Sequence, residues 1–194
     1  MERVTEQTAA AAVSDALAGH RDAIDSVATI ASELAAAADL IASSFAASGQ
    51  LLICGNGGSA ADAQHIAAEF VGRFLKERTP WPALALHTNT SAVTAIGNDY
   101  GFDEVFARQV RAHGRAGDVL LAISTSGSSP NVLTAIDAAR QQEMSVICLT
   151  GGGGTMAELG DVSLAVPSTS TPRVQETHIF LAHVLCGLVE DALS

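Results

Sequence analysis

Residues 118–130 read DVLLAISTSGSSP, and the change of character inside this stretch decides the fold. Val119 to Ile123 is a continuous apolar run, too short for a helix and without polar alternation. That is the pattern of a strand buried on both faces. Five hydroxyl residues within 124–129 (Ser124, Thr125, Ser126, Ser128, Ser129) then end the run around Gly127. Pro130 suits the first turn of a helix, where its missing N–H costs nothing, and the helix is expected to run to about Gln142. The same grammar recurs on either side. Leu51–Cys54 ends in Gly55-Asn56-Gly57-Gly58-Ser59 and a helical segment to about Phe74. Ala83–Leu86 is a short strand, Ser145–Thr150 ends in Gly151–Gly154, and Val162–Val166 is the last strand before a helix from Pro172 onward. Buried strands alternating with helices predict a parallel sheet covered on both faces, with ligands at the carboxyl ends of the strands.

Residues 1–48 read as helix in two pieces divided near Gly19 and His20. In the second piece Ile24, Val27, Ala31, Leu34, Ala38, Ile41 and Phe45 alternate steps of three and four. Such a seam fits a partner helix, in the same domain or a second subunit, or a helix covering a sheet. The expected organisation is a helical segment 1–48 and an α/β body 49–194, together one structural domain.

The chain of 194 residues is 48% hydrophobic, 16% charged and only 4% aromatic, which suits close helix packing and argues against a nucleic-acid stacking platform. Ten Lys+Arg stand against twenty-one Asp+Glu, a formal charge of −11 with no basic run, so no nucleic-acid partner is expected. A phosphorylated small molecule remains compatible, because helix N-termini bind phosphate whatever the net charge. The start, MERVTEQTAAAAV, has acidic residues and no sustained apolar core, and the alanine-rich stretch 27–42 is broken by Ser32, Glu33 and Asp39. Neither a signal peptide nor a membrane partner is expected. Cys54, Cys148 and Cys186 each sit in an apolar run and read as buried free thiols of a reducing, cytoplasmic compartment.

A serine N-cap needs one hydroxyl; the crowd at 124–129 points instead to phosphate held at a helix N-terminus. No GKS or GKT follows any loop, which excludes a Walker-type NTPase, and GNGGS (55–59) reads as a site of close backbone approach to a small ligand. On the helix after it, His65 and Glu69 lie one turn apart, near the ligand-facing loop. Gln175, Ile179 and His183 form a ridge on the last helix, with Glu176 and His178 beside it. Taken alone, both sets also fit ordinary amphipathic helices. A ketose–aldose isomerase needs a base, an acid and a stabiliser of the enediolate, and glutamate with histidine supplies them. Two histidines, a glutamate and a glutamine could also bind a divalent metal such as zinc, although glutamine is an uncommon zinc ligand.

The stretches GNGGSAADAQHIAAEF (55–70), TAIGNDYGF (94–102), STSGSSPN (124–131) and TPRVQETHIFLAHVLCGLVE (171–190) closely resemble the phosphoheptose isomerases of the sugar isomerase (SIS) fold, over residues 35–191. The resemblance implies an α/β three-layer sandwich, a five-stranded parallel sheet flanked by helices. It also implies a homotetramer with active sites between subunits, its N-terminal helices packing in the oligomer. The implied reaction converts D-sedoheptulose 7-phosphate to D-glycero-D-manno-heptose 7-phosphate. Carried over residue by residue, Ser124, Thr125, Ser126 and Ser129 would hold the phosphate. Asn56, Gly57, Gly58, Asn98, Asp99 and Gln175 would contact the sugar, with Glu69 as general base and His183 as general acid. His65, Glu69, Gln175 and His183 would bind one zinc per subunit. Thr171-Pro172-Arg173 departs from the pattern, since some relatives have an acidic residue near position 172. The alternatives are a non-catalytic SIS adaptor that binds the replication initiator, which lacks the carboxylate–imidazole pair, and an isomerase of another sugar phosphate.

Overall fold

The computed structural model describes residues 3–194; the first two residues of the expected helical segment lie outside the described residues. Two helices, α1 (Glu6–Ser26) and α2 (Ala31–Ala46), precede β1 (Leu51–Cys54), α3 (Gly58–Val71) and β2 (Ala83–Ala85). Then follow α4 (Thr90–Tyr100), α5 (Ala107–His113), β3 (Val119–Ser124), α6 (Pro130–Gln141), β4 (Ser145–Thr150), β5 (Val162–Ala165) and α7 (Thr171–Leu193). The five strands form one parallel sheet in the order β2-β1-β3-β4-β5. The chain leaves β1 in one direction for β2 and returns past it to β3, so the winding reverses between β1 and β3. A crevice opens at such a switch point, and the loops after β1 and β3 are the GNGGS and serine-rich segments.

Alternate strand residues point to opposite faces, and each face has its own core. Leu51, Ile53, Leu121, Ile123, Ile147 and Leu149 pack with α2, α3 and α7. Leu52, Leu120, Ala122, Val146 and Cys148 pack with α5 and α6. The expected three-layer α/β sandwich is therefore present, and all three cysteines are buried free thiols whose pKa burial pushes up to about 12. Among the described residues, no helix is long and apolar enough to cross a membrane.

The N-terminal helices differ from the expectation. α1 runs through Gly19 and His20, and the chain turns at 27–30 instead. A single helical glycine costs only about 1 kcal/mol relative to alanine, and here Gly19 faces the Arg173 side chain of α7. The seam is consequently split. Val27 lies in the turn and Ala31 is exposed, while Leu34, Ala38, Ile41 and Phe45 are buried over the sheet and against α7. The 87–117 connection also carries two helices not anticipated from the sequence: Asn89 caps α4 by accepting from the Ala92 N–H at 3.1 Å, and Gly101, at φ +89°, ends it.

Candidate active site

At the crevice, Ser124 ends β3 with its hydroxyl 2.9 Å from that of Ser129 and 3.3 Å from that of Ser126. The Ser128 N–H and hydroxyl both donate to Ser126 Oγ, at 3.3 and 3.2 Å. Ser129 occupies the N-cap of α6, yet its side chain makes no capping bond and turns to Ser124 instead. The loop thus presents clustered hydroxyls together with the start of a helix, the combination that holds a small anion. Its backbone is seated by glycines. Gly127 has φ +64°, and a Cβ there would fall on the carbonyl oxygen of Gly153; one at Gly151 would fall on that of Thr125. The Gly151–Gly154 run is therefore the floor beneath the serine loop.

The GNGGS loop is joined to the same helix start. Asn56 and Asn131 exchange amide hydrogen bonds, both at 2.8 Å, and Asn131 is 2% exposed. Asn131 escaped the sequence reading because an asparagine in a first helical turn looks like ordinary local capping. Gly57, at φ +55°, opens α3. A Cβ at Gly58 would collide with the Gln175 amide, so the close approach expected of this loop is made, within the chain, by Gln175.

The acid–base candidates meet elsewhere. His65 Nε2 lies 3.1 Å from Glu69 Oε1 across one turn of α3, and 3.1 Å from His183 Nε2 of α7. These three donor atoms lie within 4.8 Å of one another, so they could hold a metal ion. Glu69 is partly buried and His65 half exposed. The Phe74 ring stacks on His183 with centroids 5.4 Å apart and planes 18° apart. One turn before His65, burial pushes the Asp62 carboxyl above its ordinary value, partly offset by His65. Along α3, Glu69 stands eleven residues beyond Gly58, about 16 Å at 1.5 Å per residue. His65, seven residues beyond Gly58, is about 10 Å along the same axis, so within one chain the trio is set back about two turns or more from the loop. Gln175 sits eight residues before His183 on α7, about 12 Å along its axis, with its amide at Gly58. Asn98 donates to Asp99 Oδ1 at 2.7 Å on the exposed end of α4. Neither side chain is hydrogen-bonded to the two loops.

A further group came only with the structure. Glu190 of α7, 1% exposed, accepts the N–H groups of Phe74, Leu75 and Lys76 and the Arg78 Nε. Burial raises the Glu190 carboxyl, but these donors more than offset it and hold it below its ordinary value. His178 is wholly buried and neither ring nitrogen has a hydrogen-bond partner among the described residues. Burial lowers its pKa to about 4.

Comparison with known proteins agrees with this architecture. The SIS domain family model matches residues 17–151. The phosphoheptose isomerase of Rhodospirillum rubrum is 63% identical over 161 residues, covering 82% of this chain and 86% of the relative. That of Bordetella avium is 55% identical over 172 residues, 87% of each chain. The structure of phosphoheptose isomerase from Neisseria gonorrhoeae superposes with a TM-score of 0.85 at 46% identity, covering 96% of this chain and 98% of that one. The Francisella tularensis phosphoheptose isomerase gives 0.91 at 38% identity, covering 95% and 99%. With the sheet order, the serine loop and the carboxylate–imidazole trio already in place, these likenesses establish that the chain belongs to the SIS domain family, in its phosphoheptose isomerase branch.

Proposed function

We propose that this protein is a ketose–aldose isomerase converting D-sedoheptulose 7-phosphate to D-glycero-D-manno-heptose 7-phosphate. The observation that carries the reading is the meeting of Glu69, His65 and His183 from two helices. The Glu69 carboxylate and the His183 imidazole, brought within 4.8 Å of each other, supply the base and the acid that the reaction needs. Glu69 takes a proton from C1 of the ketose, and the electron pair moves to form an enediolate between C1 and C2. His183 moves protons between the oxygens on those carbons. Return of the proton to C2 leaves the carbonyl at C1 and completes the aldose. Ser124, Thr125, Ser126 and Ser129 hold the phosphate at the start of α6, while Asn56, Gly57, Gly58, Asn98, Asp99 and Gln175 face the sugar.

The donor spacing supports a zinc site at the trio. Tetrahedral zinc keeps neighbouring ligand atoms about 3.3 Å apart, and two pairs here are separated by 3.1 Å. His65, Glu69 and His183 would hold the ion. Gln175, the fourth ligand of the family pattern, stands about 12 Å from His183 along α7 with its amide at Gly58, so it would complete the set only from a second subunit. When bound, zinc supplies Lewis acidity toward the substrate's oxygens.

A homotetramer with sites between subunits is supported by two features. His65 and Glu69 stand about 10 and 16 Å along α3 from Gly58, so within one chain the trio is set back from the crevice. Phe180, Val184 and Leu188 form an exposed apolar ridge on α7 beside His183, and Val13 and Leu17 are exposed on α1, surfaces that a second subunit would cover. We read residues 1–48 and 49–194 as the helical segment and SIS body of one domain. The buried free thiols favour a reducing cytoplasm.

The test is to incubate the protein with sedoheptulose 7-phosphate and follow aldose formation by NMR, beside Glu69→Gln. Conversion is expected from the wild type and not from the variant, whose oligomeric size is unchanged. Appreciable turnover by the variant would remove Glu69 from its role. Absence of turnover in both, with or without zinc, would favour the adaptor or another sugar phosphate.

A further inference from the structure

The segment from residue 72 to residue 80, between α3 and β2, has no helix or strand, yet its backbone is held at several points. Glu190 accepts from the N–H groups of Phe74 and Leu75 at 2.9 Å each and of Lys76 at 3.0 Å, and from Arg78 Nε at 3.1 Å. Arg78 donates through Nη1 to Phe70 O at 2.8 Å and through Nη2 to Glu69 O at 2.7 Å, with its guanidinium 3.8 Å over the Trp81 ring. Glu190 follows His183 by two turns on α7. The clamp therefore ties the segment to both helices of the acid–base pair, at the Glu69 carbonyl and one helical stripe from His183.

What the clamp delivers is the Phe74 ring. It stacks on one face of the His183 imidazole, at 5.4 Å between centroids and 18° between planes, while His65 meets the imidazole edge at 3.1 Å. His183 is only partly buried, and an imidazole so placed can rotate about two torsions unless neighbours hold it. An offset-stacked ring restricts that rotation without competing for either nitrogen. We infer that Phe74, fixed by Glu190 and Arg78, is a positioning residue that sets the His183 imidazole with Nε2 facing His65 and Glu69. The inference rests on the isomerase reading for its kinetic consequence, not for its geometric one.

The experiment compares wild type, Phe74→Leu and Phe74→Tyr in the intact oligomer, with Phe74→Met in place of the leucine variant should that one not fold. A first arm records the His183 ring protons by NMR, assigned through His183→Gln. In the wild type and the tyrosine variant the stacked ring shifts them upfield; in the leucine variant they move downfield. A second arm measures isomerisation. Misplacing one catalytic group is expected to lower kcat about tenfold with KM changed less than about twofold, and tyrosine is expected to restore kcat. Unchanged ring shifts in Phe74→Leu overturn the inference, as does wild-type kcat in that variant or a loss confined to KM. If the wild type shows no turnover, the isomerase reading fails and the NMR arm still decides whether Phe74 orients His183.

Discussion

Replacing Glu190 with glutamine exchanges one oxygen for an amide nitrogen and should unfasten the loop after α3. In the native protein Oε1 accepts from the Phe74 N–H and Arg78 Nε, and Oε2 from the N–H groups of Leu75 and Lys76. Whichever way the glutamine amide turns, its NH₂ meets two donors. Two donors left without an acceptor cost about 1–3 kcal/mol each, giving a loss of about 4 kcal/mol. The ion pair leads to a similar figure: Glu190 and Arg78 are 1% and 6% exposed in their side chains, and breaking a buried pair from one side costs about 3–5 kcal/mol. Out of a typical stability of about 5–15 kcal/mol, this is a large fraction. The assay is urea unfolding at one fixed protein concentration. Trp81 reports it, being the only tryptophan and lying against both Arg78 and the Phe45 ring. With an m-value of about 1–3 kcal/mol/M, the midpoint should fall by more than about 1 M. A loss below about 1 kcal/mol would refute the view that this carboxylate fastens the loop. The pH dependence has a definite sign. Because the folded Glu190 is held below its ordinary value, its contribution is present above the unfolded glutamate pKa and is lost as pH falls through the lowered folded value. The glutamine variant lacks that acid-sensitive part.

Two other predictions concern the buried polar architecture. Gly127→Ala places a Cβ onto the Gly153 carbonyl at a φ of +64°, so urea unfolding should show a loss of about 2 kcal/mol or more, and the apparent affinity for the sugar phosphate should weaken; unaltered values of both would separate the glycine floor from the serine loop. His178 has a folded pKa lowered from 6.5 to about 4, so the unfolded chain binds the proton first and stability declines as pH falls across that window. The decline attributable to it is about 3 kcal/mol. His178→Leu should flatten the urea midpoint between pH 7 and pH 5, and an unflattened profile would exclude His178 as the source.

Much of this protein was legible along the chain because its signals are local. Each strand is a short apolar run bounded by its own turn residues, and continuous burial forces a parallel sheet with helices on both faces. The serine cluster and Pro130 announced the helix start that α6 makes at Pro130, and His65 and Glu69 sit one turn apart by helical geometry alone. The N-terminal break was misplaced because a helical glycine is a weak stop, and only the α1–α7 contact decides whether it is tolerated. Nor could spacing reveal which polar groups meet across long separations. His183 joins His65 over 118 residues, Asn56 pairs with Asn131 over 75, and Glu190 reaches Phe74 over 116. Those partnerships depend on how α3, α6 and α7 lie on the sheet. That arrangement is set by the packing of two apolar cores, which is a property of the whole fold and of no single segment.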